Sequence, residues 1–392
     1  MRYTPKSELD RRVAKLQAGL RRAGIDGAVI VQNADLFYFA GTIQRSPLFV
    51  PAEGRPLLLV KKDPARARVE SALDQIVGLD SLRKMSAVLQ ANGYSSFKTL
   101  GFELDVLPAN QYLRYRGLFE PAEIVDVSPL IRDVRMVKSP YEIDIIREGA
   151  RLHGVIFSFV KENLRAGISE LELSALLAEV SRRNGHAGYM RVRGFNQDLY
   201  YIHLLSGHNT MPSYFDGSVG GEGISPAFAQ GSCRKLISKN EPVFVDYNFV
   251  FDGYIVDQTR TFCIGELPAH LAQAHATAVG ILKELEKMAR PGIAWEALYT
   301  RAMYLAAESP FKDHFLGFPE PVSFIGHGLG IELDEQPVIA PGFKAPLAEG
   351  MVFALEPKFI FPDGAVGVEN TYLVTKDGLE TLTVFEEEII YI

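Results

Sequence analysis

The sequence is poor in cysteine, with two in 392 residues, Cys233 and Cys263. Neither their number nor their spacing suits a thiolate zinc site or a disulfide framework. A reducing, cytoplasmic setting is expected. Long apolar runs are also missing. No stretch reaches the ~18 residues of a membrane-spanning helix, and the opening "MRYTPKSELDRR" lacks the apolar core of a signal peptide. Positive charge is in deficit: 41 Lys and Arg against 48 Asp and Glu leave a formal net charge of -7. That excludes a broad basic surface for nucleic acid. Basic clusters such as "RRVAK" at 11–15 read as solvated helix faces. Over roughly residues 1–130 no Gly-x-Gly-x-x-Gly fingerprint and no P-loop occur, so no nucleotide-phosphate cradle is expected there.

What is present is an ordinary globular composition, 47% hydrophobic and 23% charged, long enough for two domains. Residues 7–24 carry a helical pattern, and "GAVIVQ", "RPLLLV" and "QIVGL" read as strands separated by helical segments. This alternation predicts an α/β domain over residues 1–133. A second domain follows over 134–392. Its entry shows Ser139, Pro140 and Glu142 as a capping box with proline in the first turn, and Ser169 repeats the cap. The stretch 203–233 is rich in Gly, Ser and Pro, and reads as a long ordered loop of functional type. Beyond 240 the chain reads as strand and turn, broken by one helical segment at about 266–307.

Two segments carry acids inside apolar alternation. "EPVFVDYNFVFDGYIVDQTRTFCIG" reads as a hairpin turning at Asp252-Gly253. Phe251 then faces Tyr254, Asp246 faces Thr259, and Asp257 faces Asn248. The two aspartates share a face as diagonal neighbours, roughly 7–8 Å apart. "GMVFALEPKFIFPDGAVGVENTYLVT" repeats the device, with a turn placed at Asp363-Gly364 and Glu356 diagonal to Glu369. Such acids can sit at strand edges in water. In central strands they need neutralisation, and divalent cations supply it. His327, in "GHGLG", then reads as the nitrogen ligand of an otherwise carboxylate site. Gly326, Gly328 and Gly330 allow close backbone approach or serve as turn residues. Four carboxylates and one imidazole suit two borderline or hard cations, Mn, Co, Zn or Fe.

These residues resemble those of the M24 metallopeptidase family, which contains methionine aminopeptidase, aminopeptidase P and prolidase, with creatinase as a metal-free relative. The matching positions are Asp246, Asp257 in "DQTRT", His327 in "GHGLG", Glu356 in "EP" and Glu369 in "GVENTYLVT". The resemblance covers nearly the whole chain and includes "RMVKSPYEIDIIREGA" as the entry to the second domain. It implies an α+β chain, with a pita-bread C-terminal domain behind a creatinase-like α/β N-terminal domain, and a homodimer. It further implies an Xaa-Pro aminopeptidase or dipeptidase acting on small peptides through two divalent ions. Asp257 and Glu369 would bridge them, and Asp246 would complete one ion. His327 and Glu356 would complete the other. A metal-bound hydroxide would attack the scissile carbonyl, with Glu356 as proton acceptor.

Two positions depart from the family's pattern. Gln230, in "GISPAFAQGS", stands where family peptidases carry a histidine. Asp334, in "DEQP", stands where a second histidine follows the ligand by seven residues. Glutamine donates a hydrogen bond but does not titrate. An anionic Asp334 suits a cation or a substrate amine rather than an oxyanion. His203 and His208 are candidates for the missing imidazole, or ordinary packing histidines. His314 is a weaker candidate. The alternatives to a peptidase are a hydrolase of a non-peptide C–N bond, in a cyclic amide or amidino compound, and a non-catalytic binding module of the same fold. Neither nucleic acid nor membrane is an expected partner.

Overall fold

The computed structural model describes residues 2–210, 213 and 217–392. Residues 211, 212 and 214–216, part of the long loop expected over 203–233, lie outside the described residues. The chain divides into two compact units, Met1–Arg135 and Met136–Ile392.

The first unit contains β1 (Gly27–Ile30), β2 (Leu48–Pro51), β3 (Leu57–Val60), β4 (Ile76–Gly78), β5 (Thr99–Phe102) and β6 (Glu123–Asp126). Among the described residues they form one sheet in the order β4-β3-β2-β1-β5-β6. β1 runs antiparallel to β2 and parallel to β5, so the sheet is mixed. Val29, Phe49, Leu57, Leu59, Leu100 and Phe102 form its buried core. The α/β alternation is the expected one. β2, β5 and β6 are four-residue strands with little periodic signal of their own, and their neighbours in the sheet define them.

The second unit opens as its caps predict. Ser139 caps the helix Pro140–Asn163 with Pro140 in the first turn, and the reciprocal Ser139–Glu142 capping box is present. The Ser169 side chain accepts from the Glu172 backbone N–H and starts the helix Glu170–Arg183. The strands follow as β7 (Ile202–Ser206), β8 (Pro242–Phe251), β9 (Tyr254–Cys263), β10 (His327–Gly328), β11 (Glu335–Val338), β12 (Val352–Leu355), β13 (Lys358–Phe361), β14 (Gly364–Gly367), β15 (Asn370–Val374), β16 (Leu379–Thr381) and β17 (Ile390–Tyr391). Their sheets run β17-β9-β8-β7, β11-β10-β12-β15-β16, and the pair β13-β14. The single helix expected near 266–307 is two helices, Ala269–Met288 and Trp295–Ala307. Pro291 lacks a backbone N–H and Gly292 takes φ +93, so the helix cannot pass through them.

Each half therefore backs a strand pair with helices. Pro140–Asn163 packs on β8 and β9, and Ala269–Met288 packs on β13 and β14. One core gathers Phe157, Leu177, Tyr247, Phe249 and Phe262, and another gathers Leu282, Trp295, Phe353, Phe359 and Tyr372. This is the pita-bread arrangement, with the acidic strands between the two helical backings.

The first hairpin has the expected register. Phe251 pairs with Tyr254, Asp246 with Thr259 and Asn248 with Asp257. The second does not. Its turn is Pro362-Asp363, because Phe361 pairs with Gly364 and Lys358 with Gly367. Beyond a break at 356–357 and 368–369 the same register resumes, with Leu355 paired to Asn370. Glu356 and Glu369 therefore fall opposite one another at the break, not on the diagonal. Proline presets its own φ and is favoured at the leading turn position, so it draws the turn one residue earlier.

Candidate metal centre

The centre forms where β8 and β9 meet the break in the second hairpin. Asp257 is 3% exposed and Glu369 is 1% exposed. Direct bonds lock the two hairpins together. The Glu369 backbone N–H donates to Thr259 O, Thr259 Oγ1 donates to Glu369 Oε2 at 2.6 Å, and Arg260 Nη1 donates to Glu369 O at 2.7 Å. Thr371 Oγ1 accepts from the Asp257 N–H and donates to Asp257 O. Thr259 and Arg260 of the "DQTRT" stretch thus hold the acid of the other hairpin in place.

His327 enters from β10, where the pairing with β11 slips between His327 and Gly328. Such an irregularity re-aims a side chain. It needs room: a Cβ on Gly326 would lie 2.2 Å from Ala354 O, and one on Gly328 would lie 2.2 Å from Gln336 O. Nε2 of His327 faces the acids, 3.7 Å from Asp257 Oδ2, 3.5 Å from Glu356 Oε1 and 3.9 Å from Glu369 Oε1. Its Nδ1 faces Gly328 O at 3.3 Å and Asp334 Oδ1 at 3.5 Å.

Asp257, His327 and Glu369 each offer one ligand atom, all within 4.8 Å of one another. Among the described residues, Asp257 Oδ1 and Glu369 Oε1 are buried without a hydrogen-bond partner. Buried carboxylate oxygens left unpaired are costly, and a cation between them would satisfy both. The electrostatics agree. Burial, then Glu369 and Asp246 beside it, pushes the Asp257 carboxyl well above its usual range. Burial pushes Glu369 up to about 7 despite the nearby Lys358 cation. His327 is raised: burial opposes its charge, but Asp334, Glu356 and Glu369 outweigh it. The residues fit one divalent ion.

Two further acids and a lysine make up the rest of the site. Asp246 and Glu356 do flank this triad, but Lys358 Nζ stands between them, 2.7 Å from Glu356 Oε2 and 3.3 Å from Asp246 Oδ2. The expectation of five metal ligands took no account of this residue. Lys358 lies two positions after Glu356, across the break at 356–357, and the closed structure brings both side chains to the same site.

The expected substrate residues are placed unevenly. Asp334 lines the cavity over the acids and the adjoining one. Gln230 does not line either of them. It is buried behind His203, with its Oε1 3.3 Å from His203 Nε2 and its amide donating to Asp198 O. His203 lines the cavity in its place. It lies in β7 rather than in a loop, paired directly with Asp246. Burial pushes its pKa down, against the pull of Asp246, so its ring is neutral near pH 7. His208 is exposed in the turn Gly207–Asn209 and lines neither cavity. His314 bonds Ile360 O at 2.7 Å and stacks on Phe361, away from the acids.

The cavity over the acids measures about 80 Å³ and is walled by Met190, Tyr200 and Phe324 as well as by the acids. It adjoins a cavity of about 450 Å³ that shares Phe324, His327 and Asp334. The first suits an ion with a few waters, and the second has the size of a small-ligand pocket. No helix is long and apolar enough to cross a membrane among the described residues.

Residues 12–137 match the creatinase/prolidase N-terminal domain. The chain is 27% identical over 399 residues to the probable dipeptidase PepE of Mycobacterium tuberculosis, covering 97% of this chain and 96% of the relative. It is 25% identical to the Xaa-Pro dipeptidase of Pyrococcus horikoshii, covering 97% and 99%. In fold it is similar to the crystal structure of the prolidase from Pyrococcus horikoshii OT3, with a TM-score of 0.82 and 24% identity over 97% of this chain and 100% of that one. At that identity the likeness speaks for the fold alone. Residues 144–376, more than half of the chain, match metallopeptidase family M24, and the chain belongs to that family.

Proposed function

We propose that the chain is a metal-dependent hydrolase of small peptides, of the Xaa-Pro dipeptidase or aminopeptidase type. The carrying observation is the convergence of Asp257, His327 and Glu369 on one point beside a cavity of about 450 Å³. A relative that matches along nearly its whole length is named an Xaa-Pro dipeptidase. That supports the substrate class.

Asp257, His327 and Glu369 would hold the ion. A bound divalent ion would polarise a carbonyl and make water a stronger nucleophile at neutral pH. The chain's own groups do the rest. Glu356 Oε1, 3.5 Å from His327 Nε2, is a proton acceptor beside the ion's place. Its Oε2 is held by Lys358, which fixes the carboxylate's orientation. His203, neutral and lining the cavity, gives its ring N–H to Gln230 Oε1, which leaves its other ring nitrogen as a proton acceptor. Asp334 and Glu320 give the adjoining cavity an anionic wall, which suits the protonated amine of a short peptide. The small size of the cavities limits the substrate's length.

Chelated protein reloaded with Mn, Co or Zn tests this on Xaa-Pro dipeptides and tripeptides, ordinary dipeptides and small cyclic amides. The expected result is metal-dependent cleavage of Xaa-Pro bonds, lost in Glu369→Ala. Turnover of cyclic amides with no Xaa-Pro cleavage would replace this reading with hydrolysis of a non-peptide C–N bond. Asp334 and the retracted Gln230, at positions where family peptidases carry histidines, are what favour that second reading.

A further inference from the structure

A pair of metal ions needs two cation seats between shared carboxylates, and Lys358 is already in one of them. Nζ lies 2.7 Å from Glu356 Oε2, 3.3 Å from Asp246 Oδ2 and 3.5 Å from Glu369 Oε2. The partner oxygens of two of these carboxylates turn the other way. Glu356 Oε1 and Glu369 Oε1 lie 3.5 Å and 3.9 Å from His327 Nε2, with Asp257 Oδ2 at 3.7 Å. Glu356 and Glu369 therefore each offer one oxygen to the ammonium and one to the place beside His327. That is how carboxylates serve two neighbouring cations, and here one of the cations belongs to the chain.

The lysine has little freedom to leave. Its side chain is 3% exposed, and the Phe244 ring lies 5.5 Å from Nζ, where it favours a cation. Metal–carboxylate oxygen distances are about 2.0–2.2 Å. An ion bound that closely to Glu356 Oε2 and Asp246 Oδ2 would need the space Nζ holds, and its charge would repel the ammonium. Charge balance runs the same way. The buried Asp257, Glu356 and Glu369 and the half-buried Asp246 are met by one ammonium and one dication to within a single charge, before the exposed Asp334 is counted.

We propose that this chain binds a single divalent cation, between Asp257, His327 and Glu369, and that the Lys358 ammonium is the permanent occupant of the second seat. The proposal rests on reading the site as a metal centre, and it departs from the expectation of two ions. The lysine then has two tasks. It neutralises Asp246, and it fixes Glu356 so that Oε1 faces the ion.

Metal counting and spin coupling test the proposal without recourse to activity. Full-length protein is stripped with chelator, dialysed against excess Mn(II), desalted and analysed for metal. The expected result is about one Mn per chain and the six-line electron paramagnetic resonance spectrum of an isolated ion. Two Mn per chain with a coupled spectrum, or no retained Mn, overturns the proposal. Lys358→Met keeps the length and removes the charge. It is expected to raise the count towards two and to give a coupled signal, and a folded Lys358→Met protein that still holds one ion overturns the proposal. If that variant does not fold, the count and spectrum of the unmodified protein decide. Peptide turnover is read separately. One ion without turnover retires the peptidase reading and leaves the proposal standing, and two ions with turnover do the reverse.

Discussion

Asp334 Oδ1 lies 3.5 Å from His327 Nδ1, on the side of the ring turned away from Asp257, Glu356 and Glu369. The same nitrogen faces Gly328 O at 3.3 Å. With an ion bound at Nε2 the ring proton would sit on Nδ1, where Gly328 O and Asp334 Oδ1 face it. A carboxylate behind a ligating imidazole orients it and raises its basicity. Asp334 therefore acts on the histidine as well as on the substrate cavity.

Asp334→Asn is expected to weaken metal binding roughly 10- to 100-fold, the usual effect of losing such a partner. Calorimetric titration of the chelated protein with Mn(II) measures it. Unchanged affinity would remove Asp334 from the support of the ion.

His203 gives a different signature, because it faces the cavity without contributing to the Asp257–His327–Glu369 cluster. His203→Ala is expected to lower kcat/KM by about 10²-fold, at the low end for a positioned proton acceptor, with the metal count unchanged. Gln230→Ala, one shell further out, is expected to cost about tenfold or less, and loss of metal from His203→Ala would contradict this division.

Gly328→Ala adds a methyl group 2.2 Å from a backbone oxygen that cannot move without breaking the β10–β11 contact. Overpacking of this kind costs about 1–3 kcal/mol. The expected outcome is a lower melting temperature together with weaker metal binding, since His327 is the adjacent residue. A variant as stable as the parent, with full metal affinity, would show that the close approach is relaxed in solution.

The first unit carries a pH-dependent term independent of the metal centre. Glu103 accepts the Val31 and Gln32 N–H groups at 2.7 and 3.0 Å, and Asp35 beside it pairs with Arg135 at 2.5 Å. Burial, then Asp35, raises the Glu103 carboxyl well above its ordinary 4.5. A raised carboxyl means that the folded chain holds a proton the unfolded chain has lost. The stability it contributes is therefore full below the ordinary value and falls as pH rises through the raised one. Glu103→Gln keeps an acceptor for the two N–H groups and cannot ionise. Melting curves at pH 5, 7 and 9 are expected to converge at pH 5 and to favour the variant as pH rises. Parallel curves would mean that Glu103 titrates normally.

Much of the site was legible because strand geometry is local. Alternation around Asp252-Gly253 placed Asp246 and Asp257 on one face, and the register is the one found. The caps at Ser139 and Ser169 were equally local. The second hairpin failed at a competition between adjacent turn signals, Pro362-Asp363 against Asp363-Gly364. That one-residue difference set Glu356 opposite Glu369.

Residue type and spacing by themselves determined the acids, the histidine and the helices and strands that carry them, because these depend on neighbours a few positions away. Only the tertiary structure decided what lies between the acids. His203 reached the cavity because β7 pairs with β8, and Gln230 withdrew behind it. Lys358 became the counter-charge of Asp246, more than a hundred residues earlier in the chain. A buried charge must be met by whatever the fold brings within a few ångströms, and that is a property of the closed structure rather than of any one segment.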